Sequence, residues 1–175
     1  MSEGPASLGG ADGGRLGRPR LHVRAIDSTN ARAQALADAG APHGTLVTAG
    51  VQTAGRGRQG RSWSSPPGRA LLCSLIVRDQ PPLLSLRAGV AVAEIAGARS
   101  KLKWPNDVLV DGLKVAGILV EGRPQDGWAV IGIGVNVALQ DADLKDGELR
   151  GRAGTLGLSP SAIEPTLAAL LGGLE

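Results

Sequence analysis

The sequence predicts an α+β domain with a mixed, largely antiparallel sheet and helices packed against it. Three observations carry that expectation. Short strand-like segments are joined mostly by turn signals, and the tightest of these, Asp111-Gly112, is the Asp-Gly pair of a type I′ hairpin. A minority of segments are helical in spacing and rich in small or apolar residues. The chain has 175 residues, 42% of them apolar and 20% charged, enough for a single domain with a proper core. Strands joined by hairpins, with a few helices, describe α+β.

The elements follow in order. Residues 1–19 read as a disordered leader, because glycines at 4, 9, 10, 13, 14 and 17 interrupt any apolar period. The catalytic or binding domain then spans 20–175. Leu21–Ile26 alternates apolar and polar residues, as a strand does. Asp27-Ser28-Thr29-Asn30 offers several N-caps for a small-residue helix ending near Ala39, with Gly40 placed to terminate it. Thr45–Val51 is a strand, 52–69 a long loop rich in Gly, Arg, Ser and Pro, and Ala70–Val77 a continuous apolar strand. Cys73 lies inside that strand as a core residue. Leu84–Ala98 has the composition of a helix. Val108–Val110 and Lys114–Val120 flank the Asp111-Gly112 turn, 122–127 form a second turn, and Trp128–Val137 is a strand. Residues 138–152 are polar and charged and read as a mobile loop. Ser159–Leu174 closes the chain as an apolar helix.

Composition excludes several function classes. The single Cys rules out a disulfide framework and a Cys-based zinc site, and two isolated histidines, His22 and His43, leave little for a His-built one. No uncharged apolar run approaches ~18 residues, the length a membrane span needs, and no signal core opens the chain; the expected compartment is the cytoplasm. Phe and Tyr are absent, so the core is aliphatic, and Trp63, Trp104 and Trp128 are the aromatic residues. The net charge of +3 is unevenly spread: residues 1–78 hold 10 basic and 4 acidic side chains, residues 79–175 hold 9 and 12. All ten basic residues of the first half are Arg, whose fixed fork of donors suits phosphate and carboxylate. An anion-handling element near the N-terminus is implied, and no general polyanion surface.

Three stretches have the residue types for chemistry. Gln52 through Trp63 contains Gly55, Gly57 and Gly60 in G-x-G-x-x-G spacing, and comes one Lys short of a Walker box. Both of those motifs open a helix, whereas Ser64-Ser65-Pro66-Pro67-Gly68 and a strand follow here. What remains is a glycine backbone able to approach a ligand beside Arg56, Arg58 and Arg61, either an anion site or a solvated Arg/Gly loop of the kind that meets RNA. In Lys103-Trp104-Pro105-Asn106-Asp107, Pro105 holds Trp104 extended. Asn106 and Asp107 then fall in a turn, either facing a ligand or metal ion or making local hydrogen bonds. In the third, Lys114 begins an otherwise apolar strand through Glu121. Gly132-Ile133-Gly134 strips side chains from the next, for ligand approach or for tight packing, with Asn136 beyond.

Taken together and in this order, Ser28-Thr29-Asn30, Gly55 through Arg61 with Trp63, Lys103 through Asp107, Lys114 through Glu121 and Gly132 through Asn136 resemble a biotin–protein ligase, that is a biotin–[acetyl-CoA-carboxylase] ligase, over about residues 20–174. The resemblance implies the biotin/lipoate ligase fold and two half-reactions. Biotin carboxylate attacks the α-phosphate of ATP with Mg²⁺, giving biotinyl-5′-AMP and pyrophosphate. A lysine of a biotin carboxyl carrier protein then attacks the mixed anhydride. It implies that Ser28, Thr29 and Gln52 bind biotin at the ureido ring and that Asn30 also belongs to the biotin site. Arg56, Gly57, Arg58 and Lys114 then hold the carboxylate and the acyl phosphate, with Arg58 and Lys114 catalytic, and Gly117, Gly132 and Gly134 line the slot. Arg61, Asn106 and Asn136 contact ATP, and Asp107 stands on the metal side. The leader is too short for the DNA-binding winged helix of many members, so DNA is not an expected partner. The small β-barrel that follows the catalytic domain in most members is expected to be absent. The alternative is therefore a biotin or biotinyl-AMP-binding remnant with poor transfer. A monomer or a homodimer is compatible with the sequence.

Overall fold

The computed structural model describes residues 15–78, 83–145 and 151–175. The elements are β1 (Arg20–Val23), α1 (Thr29–Asp38), β2 (Leu46–Ala49), β3 (Ala70–Arg78), α2 (Leu84–Ala96), β4 (Ser100–Lys103), β5 (Asp107–Val110), β6 (Leu113–Arg123), β7 (Trp128–Asn136), α3 (Asp141–Lys145) and α4 (Ile163–Leu174). The strands form one seven-stranded sheet in the order β1-β2-β3-β7-β6-β5-β4. Only the β1–β2 pair is parallel; the other five are antiparallel. The α+β class and the mixed, largely antiparallel sheet stand as expected.

Local chemistry explains the element ends. Ser28 caps α1, its side chain accepting the Ala31 N–H at 3.4 Å. Gly40 ends the helix with φ +87°, and the Ala41 N–H reaches back to the Leu36 carbonyl at 2.9 Å, a Schellman closure that a residue with a Cβ resists. Asp111 and Gly112 both have positive φ, 51° and 82°, as a type I′ turn demands.

The sheet separates two layers. On one face α2 and α4 cover Leu75, Val77, Ile118, Ile131 and Val135, all at most 2% exposed. On the other, Ala33 and Ala37 of α1 sit on Val47, Ile76, Trp128 and Val130. Alanine on the helix lets it lie close to the sheet. Each fully buried Leu, Ile or Val contributes roughly 1.5–3 kcal/mol, and the absence of Phe and Tyr is met by the number of such residues. Helix α1 covers only part of its face. Along β7 the residues on that side are Trp128, Val130, Gly132, Gly134 and Asn136, so side chains give way to glycines where the helix begins.

The structure corrects several boundaries. Residues 1–14 of the expected leader lie outside the described residues, but 15–19 join the body. Leu16 is 3% exposed in the core, and the Gly17 N–H donates to the Gly44 carbonyl at 2.9 Å. Strand β1 stops at Val23, and Ile26 makes an isolated bridge to Gln52. Strand β4 was not anticipated, because Lys101 and Lys103 leave an edge strand no apolar alternation. Within 138–152, the supposed loop contains α3, while 146–150 lie outside the described residues. The closing segment opens as a 3₁₀ turn, Pro160–Ala162, before α4. Trp104 is joined to Pro105 by a cis peptide, and Asp107 is the first residue of β5 and no longer in the turn.

Candidate active site

Strand register builds the floor of a slot just beyond the N-terminus of α1. Gly132 pairs with Ser74 of β3 and Leu119 of β6; Gly134 pairs with Leu72 and Gly117. Two neighbouring rows across three strands therefore carry three glycines. A cavity of about 100 Å³ remains above them. Its narrowness depends on the missing side chains: a Cβ at Gly134 would stand 2.5 Å from Cε2 of Trp63, and one at Gly132 would collide with Asn30 Oδ1.

One end of the slot is a neutral, buried network. Ser28, Thr29 and Asn30 are 2–4% exposed and Ser74 is fully buried. Ser74 Oγ lies 2.6 Å from Asn30 Oδ1 and 2.8 Å from Thr29 Oγ1. The Thr29 N–H donates to Gln52 Oε1 at 2.7 Å. Asn30 Nδ2 donates to Glu121 Oε2 at 2.9 Å. Ser28 Oγ accepts at the helix cap, which leaves its proton for the slot. Recognition of a small polar group carrying both donor and acceptor atoms fits this end.

The other end carries charge. The loop after β2 closes on itself: the Gly57 N–H donates to the Arg61 carbonyl at 2.6 Å and the Trp63 N–H to that of Gly55 at 2.9 Å. A 3₁₀ turn at Arg58–Gly60 puts Arg58 and Arg61 over the slot. Arg56 instead joins the network of the first end, ion-paired with Glu121 at 3.0 Å. Arg61 turns back to the Arg58 carbonyl and Gln59 Oε1, each at 3.4 Å. The Arg58 guanidinium has no hydrogen-bond or ion-pair partner among the described residues. Lys114 Nζ is 2.8 Å from Asp107 Oδ1 and 5.5 Å from the Trp63 ring centroid. Trp63 Nε1 is buried with no partner among the described residues, a donor still open to a ligand. Cys73 borders the slot, but burial pushes its thiol up to about 12, so it is protonated and a poor nucleophile.

A wider cleft of about 810 Å³ adjoins the slot and shares Arg61, Trp63, Asp107 and Lys114 with it. Lys103 and Arg152 complete four cations around its wall against Asp107. Arg152 is brought there because its segment docks along the start of β6: the Lys114 N–H donates to the Arg152 carbonyl at 2.9 Å, and the Gly154 N–H to that of Lys114 at 2.8 Å. This cleft suits a polyanion larger than the slot can hold.

Of the residues singled out from sequence, Ser28, Thr29, Asn30, Gln52, Arg56, Gly57, Arg58, Arg61, Asn106, Asp107, Lys114, Gly117, Gly132 and Gly134 all line the slot. Asn136 does not; it lines the wider cleft, with Nδ2 donating to the Gly154 carbonyl at 3.0 Å and Oδ1 unpartnered among the described residues. Asn106 Nδ2 is held by the Ile118 carbonyl at 3.1 Å. Asp107 faces Lys114, and among the described residues no group of three His, Cys, Asp or Glu side chains is arranged for a metal ion. Among the described residues that line the slot and the cleft, Asp107 is the one carboxylate a divalent ion would meet, with phosphate oxygens to supply further ligands. Sequence reasoning missed Ser74 and Glu121. The signal was a lone hydroxyl in the apolar run of β3 and a carboxylate ending that of β6. Lys103 and Arg152 were missed as cleft cations.

Comparison with known proteins places this site in context. Residues 23–137 match the family model described as the biotin/lipoate A/B protein ligase family. The chain is 42% identical over 153 residues to the bifunctional ligase/repressor BirA of Bacillus spizizenii, covering 81% of this chain and 47% of that protein. It is 43% identical over 130 residues to the biotin–[acetyl-CoA-carboxylase] ligase of Mycobacterium tuberculosis, covering 66% and 48%. The chain thus spans about half the length of the curated relatives it matches. Among solved structures, biotin protein ligase from Aquifex aeolicus in complex with biotin and ATP superposes with a TM-score of 0.72 at 31% identity, over 90% of this chain and 68% of that one. The Leishmania major biotin protein ligase in complex with biotinyl-5-AMP gives 0.67 at 26%, over 88% and 73%.

Proposed function

The chain belongs to the biotin/lipoate A/B protein ligase family, and from that premise we propose that it activates biotin with MgATP and transfers the biotinyl group to a lysine of a biotin carboxyl carrier protein. One observation carries the proposal. An uncommitted arginine, Arg58, and Lys114 face a glycine-floored slot whose opposite end is a neutral donor–acceptor network. A bicyclic urea with an acidic tail matches those two ends in chemistry.

Activation brings together two anions, a carboxylate and a triphosphate. In the proposed first step a carboxylate oxygen of biotin attacks the α-phosphorus, pyrophosphate leaves, and an acyl–phosphate anhydride results. Arg58 and Lys114 offset the repulsion and hold the charge that grows on the phosphoryl oxygens. Asp107 keeps the Lys114 ammonium aimed at that point through the 2.8 Å ion pair. The four cations of the adjoining cleft receive the nucleotide, with magnesium entering as part of the substrate. Trp63 packs over Gly117 and Gly134 and shields the anhydride from water. In the second step the carrier lysine amine attacks the carbonyl carbon, the C–N bond forms, AMP leaves with the bonding pair, and the amine gives up a proton.

Pyrophosphate release with MgATP, measured with and without biotin and a carrier domain, tests this. Biotin-dependent release that continues only with the carrier is the expected result. A single biotin-dependent burst that the carrier does not extend would remove the transfer step, and release independent of biotin would overturn the proposal.

A further inference from the structure

Glu121 does not line the slot, yet its carboxylate is the terminus of the network that does. Its Oε1 is 3.0 Å from an Arg56 guanidinium nitrogen, and its Oε2 accepts from Asn30 Nδ2 and from Gln34 Nε2, both at 2.9 Å. An ion-paired carboxylate can only accept. Asn30 must therefore turn its NH₂ toward Glu121, with a second, 3.4 Å contact to the Leu119 carbonyl, and its Oδ1 toward Ser74. At 2.6 Å an oxygen that can only accept requires the Ser74 proton. Ser74 has no other proton, so its 2.8 Å contact with Thr29 Oγ1 takes the proton from Thr29, unless that proton goes to Gln52 Oε1 at 3.0 Å. On either route the Thr29 proton is spent inside the protein, and a lone pair of Thr29 Oγ1 is what faces the slot.

We infer that Glu121 is a positioning residue that sets the hydrogen-bond polarity of the slot, making Thr29 an acceptor selective for a ligand N–H. The inference rests on biotin being the ligand, whose ureido ring presents such an N–H. With an amide in place of the carboxylate the constraint disappears. The residue can donate to Asn30, Asn30 can turn over and donate to Ser74, and Ser74 can donate to Thr29. Ser74 then no longer needs the Thr29 proton, and Thr29 can turn it to Gln52 Oε1 at 3.0 Å or to the ligand, so the residue is not restricted to accepting.

The probe is a cyclic-carbamate analogue of biotin, with a ring oxygen in place of one ureido N–H, in two isomers. Size and shape are kept while the donor becomes an acceptor. In biotin-dependent pyrophosphate release the native chain should prefer biotin to one isomer by about 100-fold, the scale of leaving one buried polar group unpaired. Glu121→Gln should reduce that preference about tenfold and raise the KM for biotin while leaving the KM for ATP within twofold; one hydrogen bond is of that order. Glu121→Asp, which stays acceptor-only, should keep most of the preference. In a Thr29→Val background, Glu121→Gln should change nothing further, since it acts through Thr29. Glu121→Met is read alongside, so that misfolding of one variant does not decide the matter. An unchanged preference in whichever of the two folds, or effects that add to Thr29→Val, overturns the inference. A native chain without biotin-dependent turnover overturns instead the function on which it rests.

Discussion

At one end of the slot Thr29, Asn30 and Ser74 are buried, and the Ser74 and Thr29 hydroxyls are hydrogen-bonded within the network. At the other, the Arg58 guanidinium has no partner among the described residues, and the Arg61 side chain makes long contacts within its own turn, at 3.4 Å. The first end rests on a helix cap and three strands; the second on a loop of glycines and arginines. The difference separates two tasks. A neutral group is recognised best by donors and acceptors fixed before it arrives, because unpaired buried polar atoms are costly. Reacting anions are served best by charges that have not already been neutralised by the protein. Lys114 is the intermediate case, ion-paired with Asp107 yet one-third exposed toward the cleft.

The comparison breaks most sharply at Lys114. Lys114→Ala should lower biotin-dependent pyrophosphate release by about 10³-fold, the scale of a lost charge-stabilising donor, while leaving equilibrium binding of biotin within a few-fold. Steady-state kinetics beside calorimetric titration with biotin separates the two, and turnover near the native rate removes Lys114 from the chemistry. The floor is the next target. Gly134→Ala forces Trp63 to move from 2.5 Å, and should weaken biotin binding by about 1–3 kcal/mol, an overpacking cost, seen as a raised KM with little change in kcat. Arg58→Gly should release biotinyl-5′-AMP faster by roughly tenfold or more, the worth of a charge-assisted hydrogen bond, in a filter-retention time course; an unchanged release rate assigns the anion to other residues.

A pair far from the slot sharpens the contrast. Arg20 makes a bidentate ion pair with Glu164 at 2.6 and 2.8 Å. The hydrogen bond to Arg20 holds the Glu164 carboxyl below its ordinary value. A carboxylate so depressed stabilises the fold above the ordinary carboxylate range, and that contribution fades as pH falls through it. Glu164 is largely exposed, so Glu164→Gln should cost only about 0.5 kcal/mol at neutral pH, and progressively less as acid protonates the carboxyl. Urea unfolding at neutral and acid pH reads the difference, and biotin activation should be untouched.

Much of this was legible in the sequence because periodicity and turn chemistry act locally. The α1 cap at Ser28, the Gly40 stop, the Asp111-Gly112 hairpin and the apolar β3 all stand where residue types put them. The slot glycines were legible too, since a strand discards side chains for few reasons. Strand β4 escaped because an edge strand with Lys101 and Lys103 has nothing to bury. Leu16 escaped because a single apolar residue among glycines gives no period, although the body covers it. Ser74, Glu121 and the Lys114–Asp107 pair depend on cross-strand register, which a one-dimensional pattern does not encode. Asn136 was assigned to the nucleotide by resemblance; the structure puts it on the adjoining cleft, where its amide also anchors the segment carrying Arg152.

The most direct test of the central claim is native mass spectrometry of the chain after incubation with biotin and MgATP, without any carrier. One biotinyl-5′-AMP retained per chain is predicted, formed with release of one pyrophosphate and consumed by added carrier, which takes the biotinyl group as AMP leaves. Biotin and ATP bound side by side without reaction, or no species dependent on both, would contradict it.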